Sequence, residues 1–281
     1  MMKLSKIEHI AVYVISIIAL VWIFVPIYNM IVTSFKPFDE VWTTSYLPLK
    51  PTLEAYYLVF TQSYYRVELF WTWLWNSVRI AAGVMVVSFL ISICTGYVIS
   101  KRVISRLKSE LRILTLLAYI FPASFLSIPL FKLMGMYGLL DTDFSIILAL
   151  GTLVTPYCSW VMAEYFDNIP KEIDEAAAID GASQLTILTR IILPIAVPAI
   201  IALMTYAFMY SWNSYLFALI MLSSEKNLTL PVSMGFFLST DDAPWNIFMA
   251  VGLIYTIPAV ALYYSFKKYL VTGLFRGAVK A

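Results

Sequence analysis

The chain has 281 residues, of which 61% are hydrophobic and 13% are charged, and its formal net charge is +2. Such a composition excludes an ordinary soluble domain and predicts a protein of the lipid bilayer. The small and scattered positive charge excludes a nucleic-acid partner, because phosphate binding needs a concentrated basic surface.

Apolar runs long enough to cross a bilayer recur along the chain. A hydrocarbon core about 30 Å thick needs roughly 20 helical residues to cross it. The first run follows a short basic start and is too long for a cleaved secretory segment, so we predict an uncleaved first helix. The fifth run is longer than a perpendicular crossing requires, and we expect it to tilt or to begin in the cytoplasm. The six predicted spans cover residues 10–32, 78–99, 113–131, 144–162, 195–222 and 247–266.

Proline interrupts nearly every predicted span. Each proline removes one helix hydrogen bond and favours a kink, which a bundle tolerates where neighbouring helices or a wet cavity satisfy the freed carbonyl. The pattern fits a bundle that opens around a pathway, and it fits equally the ordinary frequency of proline in membrane helices. The prolines are Pro26, Pro122, Pro129, Pro156, Pro198 and Pro258.

Basic residues predict the orientation. Six spans place both termini on one side, and the side richer in Lys and Arg is cytoplasmic. Trp71, Trp73 and Trp75 precede the second span, as is typical of an outer interfacial belt. We therefore predict a multi-pass protein of the cell membrane with both termini, and the loops around Arg106 and Gly181, in the cytoplasm. The predicted outer segments surround Tyr57, Asp141 and Asp241. The thirteen cytoplasmic basic residues, of nineteen in all, are Lys3, Lys6, Lys101, Arg102, Arg106, Lys108, Arg112, Lys171, Arg190, Lys267, Lys268, Arg276 and Lys280.

The predicted spans lack the ionisable residues that ion-coupled transporters usually carry within the membrane. Away from their ends they hold no Asp, Glu, His, Lys or Arg, and Arg79 and Lys132 lie close enough to an edge to reach the interface. Proton coupling is therefore disfavoured, although Na⁺ bound by backbone carbonyls would leave no such mark. No G-x-x-x-x-G-K-[ST] motif occurs, so the chain is not predicted to be an ATPase, and we assign it no catalytic residue.

The cysteine and histidine content predicts neither a disulfide framework nor a metal site. Cys94 and Cys158 both lie within apolar stretches. His9 has no second ligand near it in sequence. Structural metal sites need several such ligands at short spacings.

Residues 164–198, between the fourth and fifth spans, are the most distinctive part of the sequence. They hold six acidic residues against two basic ones, an exception to the positive-inside bias that indicates a role beyond topology. Asn168 is predicted to cap a short helix that runs to Asp180 and ends at Gly181, where a left-handed residue is expected. Ser183 is predicted to cap a second helix that leads into the membrane.

Seven residues of this segment fit the spacing E-A-A-x3-G-x9-I-x-L-P. The pattern resembles the EAA loop of ABC importer permeases, and it lies in a predicted cytoplasmic loop, as it does in that family. The seven residues are Glu175, Ala176, Ala177, Gly181, Ile191, Leu193 and Pro194.

The resemblance covers most of the chain and narrows to the MalG-like group of carbohydrate importer permeases. Residues 33–65 match least specifically, and Ala281 stands where the group often has glycine. The further motifs are Asn76-Ser77, Tyr137-Gly138-Leu139-Leu140-Asp141-Thr142, Ile169-Pro170-Lys171-Glu172, Trp212-Asn213, Thr229-Leu230-Pro231, Gly273 and Gly277-Ala278-Val279-Lys280.

This resemblance implies the all-α, six-helix fold of a type I (MetI-like) ABC importer permease. It implies one transmembrane domain over residues 1–281, with a core at 72–266 and a cytoplasmic coupling loop at 164–190. The implied partners are a second permease subunit in a heterodimer, two copies of an ABC ATPase that holds the ATP and Mg, an extracytoplasmic sugar-binding protein, and membrane lipid. No cofactor is expected on this chain. The residues implied to dock in a cleft of the ATPase are Glu175, Ala176, Ala177, Asp180 and Gly181.

The fifth predicted span offers a candidate sugar path. Tyr206, Tyr210, Asn213 and Phe217 are spaced at i, i+4, i+7 and i+11, so they share one face of a continuous helix. Aromatic rings can pack on the apolar face of a sugar ring, and an amide can bond its hydroxyls. The alternative is that the aromatic residues pack against a neighbouring helix.

Small hydroxyl residues in the second predicted span leave two similar alternatives open. Ser88, Ser92 and Thr95 either line a wet path or bond backbone between helices. A secondary transporter or passive channel is the main rival function and leaves the E-A-A segment unexplained. A structural membrane protein is a further rival, and it would not need a kinked bundle. A charged cargo is disfavoured because the spans lack a counter-charge. We therefore predict import of a neutral mono- or oligosaccharide.

Overall fold

The computed structural model describes residues 6–100, 108–237 and 244–278, and all regular structure in these ranges is helical. The predicted all-α class is confirmed. Several residues that entered the predicted orientation or the family motifs lie outside the described residues: Lys3, Lys101, Arg102, Arg106, Asp241, Val279, Lys280 and Ala281.

Twelve α-helices fall within the described ranges. A π-helical turn at Leu188–Ile192 joins two of them, and a short 3-10 turn forms at Glu225–Asn227. The α-helices are α1 (Lys6–Ser34), α2 (Glu54–Thr61), α3 (Phe70–Ile99), α4 (Lys108–Ile120), α5 (Ala123–Met136), α6 (Asp143–Asp167), α7 (Glu172–Ile179), α8 (Gln184–Ile187), α9 (Leu193–Trp212), α10 (Leu216–Met221), α11 (Leu230–Phe237) and α12 (Trp245–Ala278).

Five helical stretches of the described chain are long and apolar enough to cross a membrane. They are α1, α3, α6, the continuous stretch Gln184–Trp212, and α12. A sixth crossing results if α4 and α5 are counted as one bent span. The predicted spans at 10–32, 78–99, 144–162 and 247–266 lie inside α1, α3, α6 and α12, and these four are confirmed as helices.

The third predicted span, 113–131, is not one straight helix. Its two parts, α4 and α5, are bent by 94° at a break next to Pro122. Proline has no N–H to continue the helical ladder, and its ring disfavours a helical conformation in the residue before it. Pro122 adopts φ −61° and ψ 131°, and α5 begins afresh after it. The other five prolines lie within helices that continue through them, namely Pro26, Pro129, Pro156, Pro198 and Pro258.

The fifth predicted span, 195–222, was wrong because it joined two separate helices. The helix α9 ends at Trp212, where the side-chain amide of Asn213 donates to the carbonyl of Met209 at 2.8 Å. Short polar side chains of this kind compete with the backbone ladder and favour helix ends. The apolar residues on both sides of this break concealed it in the sequence.

Packing divides the chain into two units, residues 1–70 with 234–257, and residues 71–233 with 258–281. Three helices, α3, α11 and α12, contribute to both units. The predicted single domain, with its core at 72–266 and its coupling loop at 164–190, stays a prediction.

In the first unit, charged side chains organise the segment that follows α1. Lys36 is only 4% exposed, and its Nζ donates to the carbonyls of Thr43 and Ser45 at 3.1 and 3.0 Å. The carboxylate of Glu40, also buried, accepts from the backbone N–H of Leu49 at 2.5 Å. Buried charges need such partners, and here they fix the fold of a segment that matched the family least.

The second unit is built around α3, α6 and α9. The close approach of α3 and α6 requires glycine at position 96, because a Cβ on Gly96 would lie 2.7 Å from the Cβ of Met162. Ala149, Val154 and Ala163 of α6 are fully buried. The helices α4 and α9 also pack against α6.

Candidate functional site

The helix α7 and the turn that ends it have the predicted form. The turn contains Gly181 at φ +81°. The backbone N–H of Ala182 donates to the carbonyl of Ala177, and that of Gly181 to the carbonyl of Ala178, both at 3.0 Å. These two bonds form a Schellman motif, in which a left-handed residue is needed. A Cβ on Gly181 would meet no heavy atom within 4 Å, so the need for glycine comes from the backbone and not from crowding.

The predicted cap of this helix was wrong. The side chain of Asn168 donates to the carbonyl of Glu164 at 2.9 Å and so completes the end of α6. The reason is that α6 extends to Asp167, beyond the predicted end of the fourth span, and therefore reaches Asn168 first. The helix α7 begins after Lys171, which makes no side-chain capping bond.

The second helix of the segment begins as predicted. The Oγ of Ser183 accepts from the backbone N–H of Thr186 at 3.2 Å. The chain then continues through the π-helical turn into α9, which has Pro194 in its first turn. The hydroxyl of Tyr97 donates to Oε1 of Gln184 at 2.9 Å and ties α8 to α3. The helix that follows the turn at Gly181 is therefore anchored to α3.

Most of the predicted coupling residues are accessible. Glu175, Ala176, Asp180 and Gly181 are exposed. Ala177 is 9% exposed and packs inward. Alanine side chains keep the outer surface of α7 low, so a partner could approach its backbone closely.

Two large apolar side chains beside the turn were missed by the sequence reasoning. Ile179 is 86% exposed and Leu185 is 70% exposed. A single exposed apolar residue needs no explanation, but two that flank one turn in an otherwise acidic segment are typical of a contact surface. Their position on either side of Gly181 is the sequence feature that could have identified them.

A groove of about 530 Å³ in the second unit is lined by all four residues of the predicted sugar path. Tyr206 and Tyr210 are half-buried on α9, and Asn213 is exposed at its end. Phe217 lies on α10 and is only 3% exposed. The predicted continuous helical face was therefore wrong at Phe217, because the chain leaves the helix at Asn213.

Tyrosine rings connect this groove to the neighbouring helices. The ring centroids of Tyr119 on α4 and Tyr157 on α6 are 5.0 Å apart. Tyr157 lies 4.8 Å from Tyr206, which lies 6.1 Å from Tyr210. Tyr206 thus both packs against a neighbouring helix and lines the groove, so the two alternatives for this residue are not exclusive.

Two of the three hydroxyl residues of α3, Ser88 and Ser92, are buried, whereas Thr95 is half-buried and lines a separate cavity of about 890 Å³ between α3, α4, α5 and α6. Ser88 and Ser92 are 1% and 3% exposed, and neither lines the groove. The Oγ1 of Thr155 donates to the Oγ of Ser88 at 3.4 Å, and the hydroxyls of Thr95 and Ser159 are 2.6 Å apart. For Ser88 and Thr95 these contacts fit the alternative of bonds between helices, whereas the hydroxyl of Ser92 donates to the carbonyl of Phe89 in its own helix at 3.2 Å.

The sequence of the chain matches the model of a known family. A model of the binding-protein-dependent transport system inner membrane component family matches residues 92–276. The chain belongs to this family. The α7 segment and the groove of the permease both lie within the matched region.

The permease is similar over nearly its whole length to several curated proteins. It is 35% identical to the inner membrane ABC transporter permease protein YcjP of Escherichia coli, over 91% of this chain and 90% of that protein. It is 33% identical to the trehalose/maltose transport system permease protein MalG of Thermococcus litoralis, over 91% of each. It is 31% identical to the arabinooligosaccharides transport system permease protein AraQ of Halalkalibacterium halodurans, over 94% of each.

A solved structure confirms the fold of the permease. The match is to a chain of a bacterial ABC transporter involved in the import of the acidic polysaccharide alginate. It covers 96% of the permease and 99% of that chain, with a TM-score of 0.83 and 24% identity. The predicted ABC importer permease fold is therefore confirmed.

Several family motifs hold loops of the permease together and do not line the groove. The side-chain amide of Asn76 donates to the carbonyls of Lys226 and Leu228 at 2.8 and 2.9 Å. The Oγ of Ser77 accepts from the backbone N–H of Leu230 at 2.9 Å. The start of α3 is thus fastened to the segment that precedes α11.

Asp141 fastens the same segment to the turn between α5 and α6. Its carboxylate accepts hydrogen bonds from the Ser224 hydroxyl and from the backbone N–H groups of Ser224 and Ser223. These bonds, the Ser224 hydroxyl first, hold the pKa of Asp141 at about 2, below its ordinary value of 3.8. The sequence identified Asp141 as part of a motif but gave no sign of this role.

Among the residues that the structure describes, no three His, Cys, Asp or Glu side chains are grouped so as to hold a metal ion. Cys94 and Cys158 are free thiols. The expectation that this chain binds no metal and no cofactor stays a prediction.

Proposed function

We propose that the permease forms one half of the translocation path of an ATP-driven carbohydrate importer and couples to a separate ATPase subunit. The observation that carries this proposal is the α7 segment, whose exposed turn at Gly181 is bordered by Ile179 and Leu185. A passive channel or a secondary transporter has no need of such a surface.

Docking of α7 in a cleft of the ATPase fits the shape and charge of the segment. Ala176 and Gly181 leave the backbone accessible, while Ile179 supplies apolar area for burial. Glu175 and Asp180 are exposed and offer negative charge to basic groups on the cleft wall. In this assembly the ATP and Mg belong to the ATPase subunits. The other partners are a second permease subunit and an extracytoplasmic sugar-binding protein.

The groove between α5, α9 and α10 is the proposed sugar path. Among its described lining residues, none is charged, which suits a neutral cargo. Tyr206 and Tyr210 offer ring faces, and Asn213 offers an amide. The names of two relatives, which refer to trehalose or maltose and to arabinooligosaccharides, support a carbohydrate as the class of substrate.

The orientation proposed here places both termini and α7 in the cytoplasm. The excess of Lys and Arg on that side supports it. The Asp141 turn then faces outward. The family match and the apolar helices place the permease in the inner membrane as a multi-pass protein.

Co-expression of the permease with its neighbouring permease, ATPase and binding-protein genes provides the test. The binding protein is first screened against mono- and oligosaccharides, and the sugar that it binds is used for uptake into cells. The proposal predicts co-purification of the ATPase, and uptake that is lost on ATP depletion but survives an ionophore. Uptake that survives ATP depletion and is abolished by the ionophore would establish a secondary transporter instead.

A further inference from the structure

Two contacts lie along one seam between α4 and α6. At one place Nη2 of Arg112 is 2.9 Å from Oε1 of Glu164 and 2.9 Å from Oδ2 of Asp167. At the other, the rings of Tyr119 and Tyr157 are 5.0 Å apart. Arg112 and Tyr119 are seven residues apart on α4, as are Tyr157 and Glu164 on α6. Seven residues are about two helical turns, so each pair lies on one helical face, roughly 10 Å apart along the axis.

The charged end of this seam fixes the end of α6. The side chain of Asp167 is 6% exposed and that of Arg112 is 20% exposed. A buried carboxylate is stabilised by a close positive partner, so loss of the guanidinium would remove such a partner from Asp167. Asp167 is the last residue of α6, and a short connection, with Ile169 buried, leads directly to α7.

The aromatic end of the seam meets the groove. Tyr157 lies 4.8 Å from Tyr206, and Tyr206 lines the groove with Tyr210. The ion pairs of Arg112, two turns of α4 and the tyrosine contacts therefore connect the end of α6 with the groove wall.

We propose that Arg112 is a positioning residue for energy coupling: by holding α4 to the end of α6, it makes the tyrosine-lined groove follow the movement of α7. This inference rests on the proposed docking of α7 to the ATPase. Arg112 does not touch the sugar or the nucleotide. If it acted only as a brace, its loss would lower stability without changing the response of the groove to ATP.

The response of the groove is measured by spin-label distances in the complete importer complex in nanodiscs. Labels are placed at Ser124 and Ser214, which line the groove, after Cys94 and Cys158 are replaced by Ser and Ala. The probe is Mg-ATP with vanadate, so no transported sugar has to be known. The measured quantity is the ratio of the two distance populations, with and without the probe.

The structure predicts that the probe shifts this ratio in the unmodified complex. Arg112→Gln should reduce the shift roughly two- to thirtyfold, the usual range for residues that carry coupling. The shift in Arg112→Lys should lie between those of Arg112→Gln and the unmodified complex, because an ammonium keeps the charge but differs from the guanidinium in shape and reach. The matched control is Arg79→Gln, which breaks an ion pair to Asp143 at the other end of α6 and should leave the shift unchanged. No shift in the unmodified complex, or an unmodified shift in Arg112→Gln, overturns the proposal.

A second variant covers the case in which Arg112→Gln fails to fold. Arg112→Met combined with Glu164→Gln and Asp167→Asn removes all three charges together, so no carboxylate loses its ionic partner. The proposal predicts that this triple variant assembles but still shows a reduced shift. A full shift in the triple variant would reduce Arg112 to a structural brace.

Gly181→Asp in the same experiment separates this proposal from the docking proposal. If Gly181→Asp loses the ATPase and Arg112→Gln keeps a full shift, the proposed role of Arg112 is wrong. The docking of α7 then still stands. Retention of the ATPase and a full shift in both variants contradicts the docking of α7 as well.

Discussion

The carboxylate of Asp141 accepts hydrogen bonds from the backbone N–H groups of Ser223 and Ser224, each at 2.9 Å. These bonds join the turn between α5 and α6 to the segment after α10. Asp141 holds φ at +60°, a conformation that Asn also tolerates, so Asp141→Asn removes the charge with little change in backbone strain. We expect roughly fivefold faster hydrogen exchange at the two serine amides, since a charged acceptor is replaced by a neutral one.

The low pKa of Asp141 sets the pH range of this contact. Because the pKa in the folded protein is about 2, below the ordinary 3.8, the stabilisation is complete above pH 3.8 and is lost as the pH falls through 2. Exchange at Ser223 and Ser224, corrected for intrinsic rates, should therefore be constant between about pH 5 and 8. The control is Asp143→Asn, two residues from Asp141, which should not change the exchange rates of these two amides. A loss of protection near pH 6 would show that another group controls the segment.

Ile179 should contribute apolar area to the ATPase interface. Its side chain is 86% exposed in this chain, so Ile179→Ala should cost the permease itself almost nothing. If the side chain is buried by the ATPase, its truncation should weaken the complex about tenfold, which binding of the purified subunits in detergent would measure. Leu49→Ala changes another highly exposed apolar residue, in the segment after α1, and should have no effect. Equal affinity of both variants would exclude Ile179 from the interface.

Asn213 should contact the sugar. Asn213→Ala is expected to raise the half-saturation concentration of uptake by roughly three- to tenfold, the value of one hydrogen bond, without lowering the amount of inserted protein. Thr152→Ala is the matched control, because Thr152 is also exposed and also bonds a carbonyl four residues earlier in its own helix. Uptake by Asn213→Ala that matches the unmodified protein at limiting sugar would leave Asn213 with a helix-ending role only.

The proposed orientation is tested by cysteine labelling in intact cells, after both native cysteines are replaced. Tyr137→Cys, at a 70% exposed position near Asp141, should react with an impermeant maleimide. Glu175→Cys should react only after the membrane is permeabilised. The reverse pattern would invert the topology.

The sequence predicted the features that depend on local chemistry. Four spans, the glycine turn at Gly181 and the Ser183 cap follow from apolar length, backbone conformation and a short hydroxyl side chain, which are all readable along the chain. The breaks were harder to predict. Pro122 lies at the break between α4 and α5 whereas Pro129 lies inside α5, so the presence of a proline alone did not show where a helix ends.

Contacts between residues far apart in the chain could not be predicted from the sequence. Arg112 counted only as a cytoplasmic basic residue, because its partners lie about fifty positions later, on another helix. Asn168 was assigned to the wrong helix since the end of α6 depends on how far its packing with α4 and α9 extends. Ser88 and Ser92 have the composition of a wet path, and only the close approach of α3 and α6 shows that they are enclosed.

The most direct test of the central claim compares Gly181→Asp with Gly138→Asp. Both glycines have positive φ, +81° and +66°, and neither has a heavy atom within 4 Å of an added Cβ, so each substitution should cost the fold a similar amount, about 1 kcal/mol. ATPase retention and ATP-dependent sugar uptake are measured at matched levels of inserted permease. The account predicts that the Gly181→Asp complex either loses the ATPase or hydrolyses ATP without sugar uptake. The Gly138→Asp complex should retain the ATPase and take up sugar. Normal retention and normal uptake in Gly181→Asp would contradict the assignment of α7 as the coupling helix.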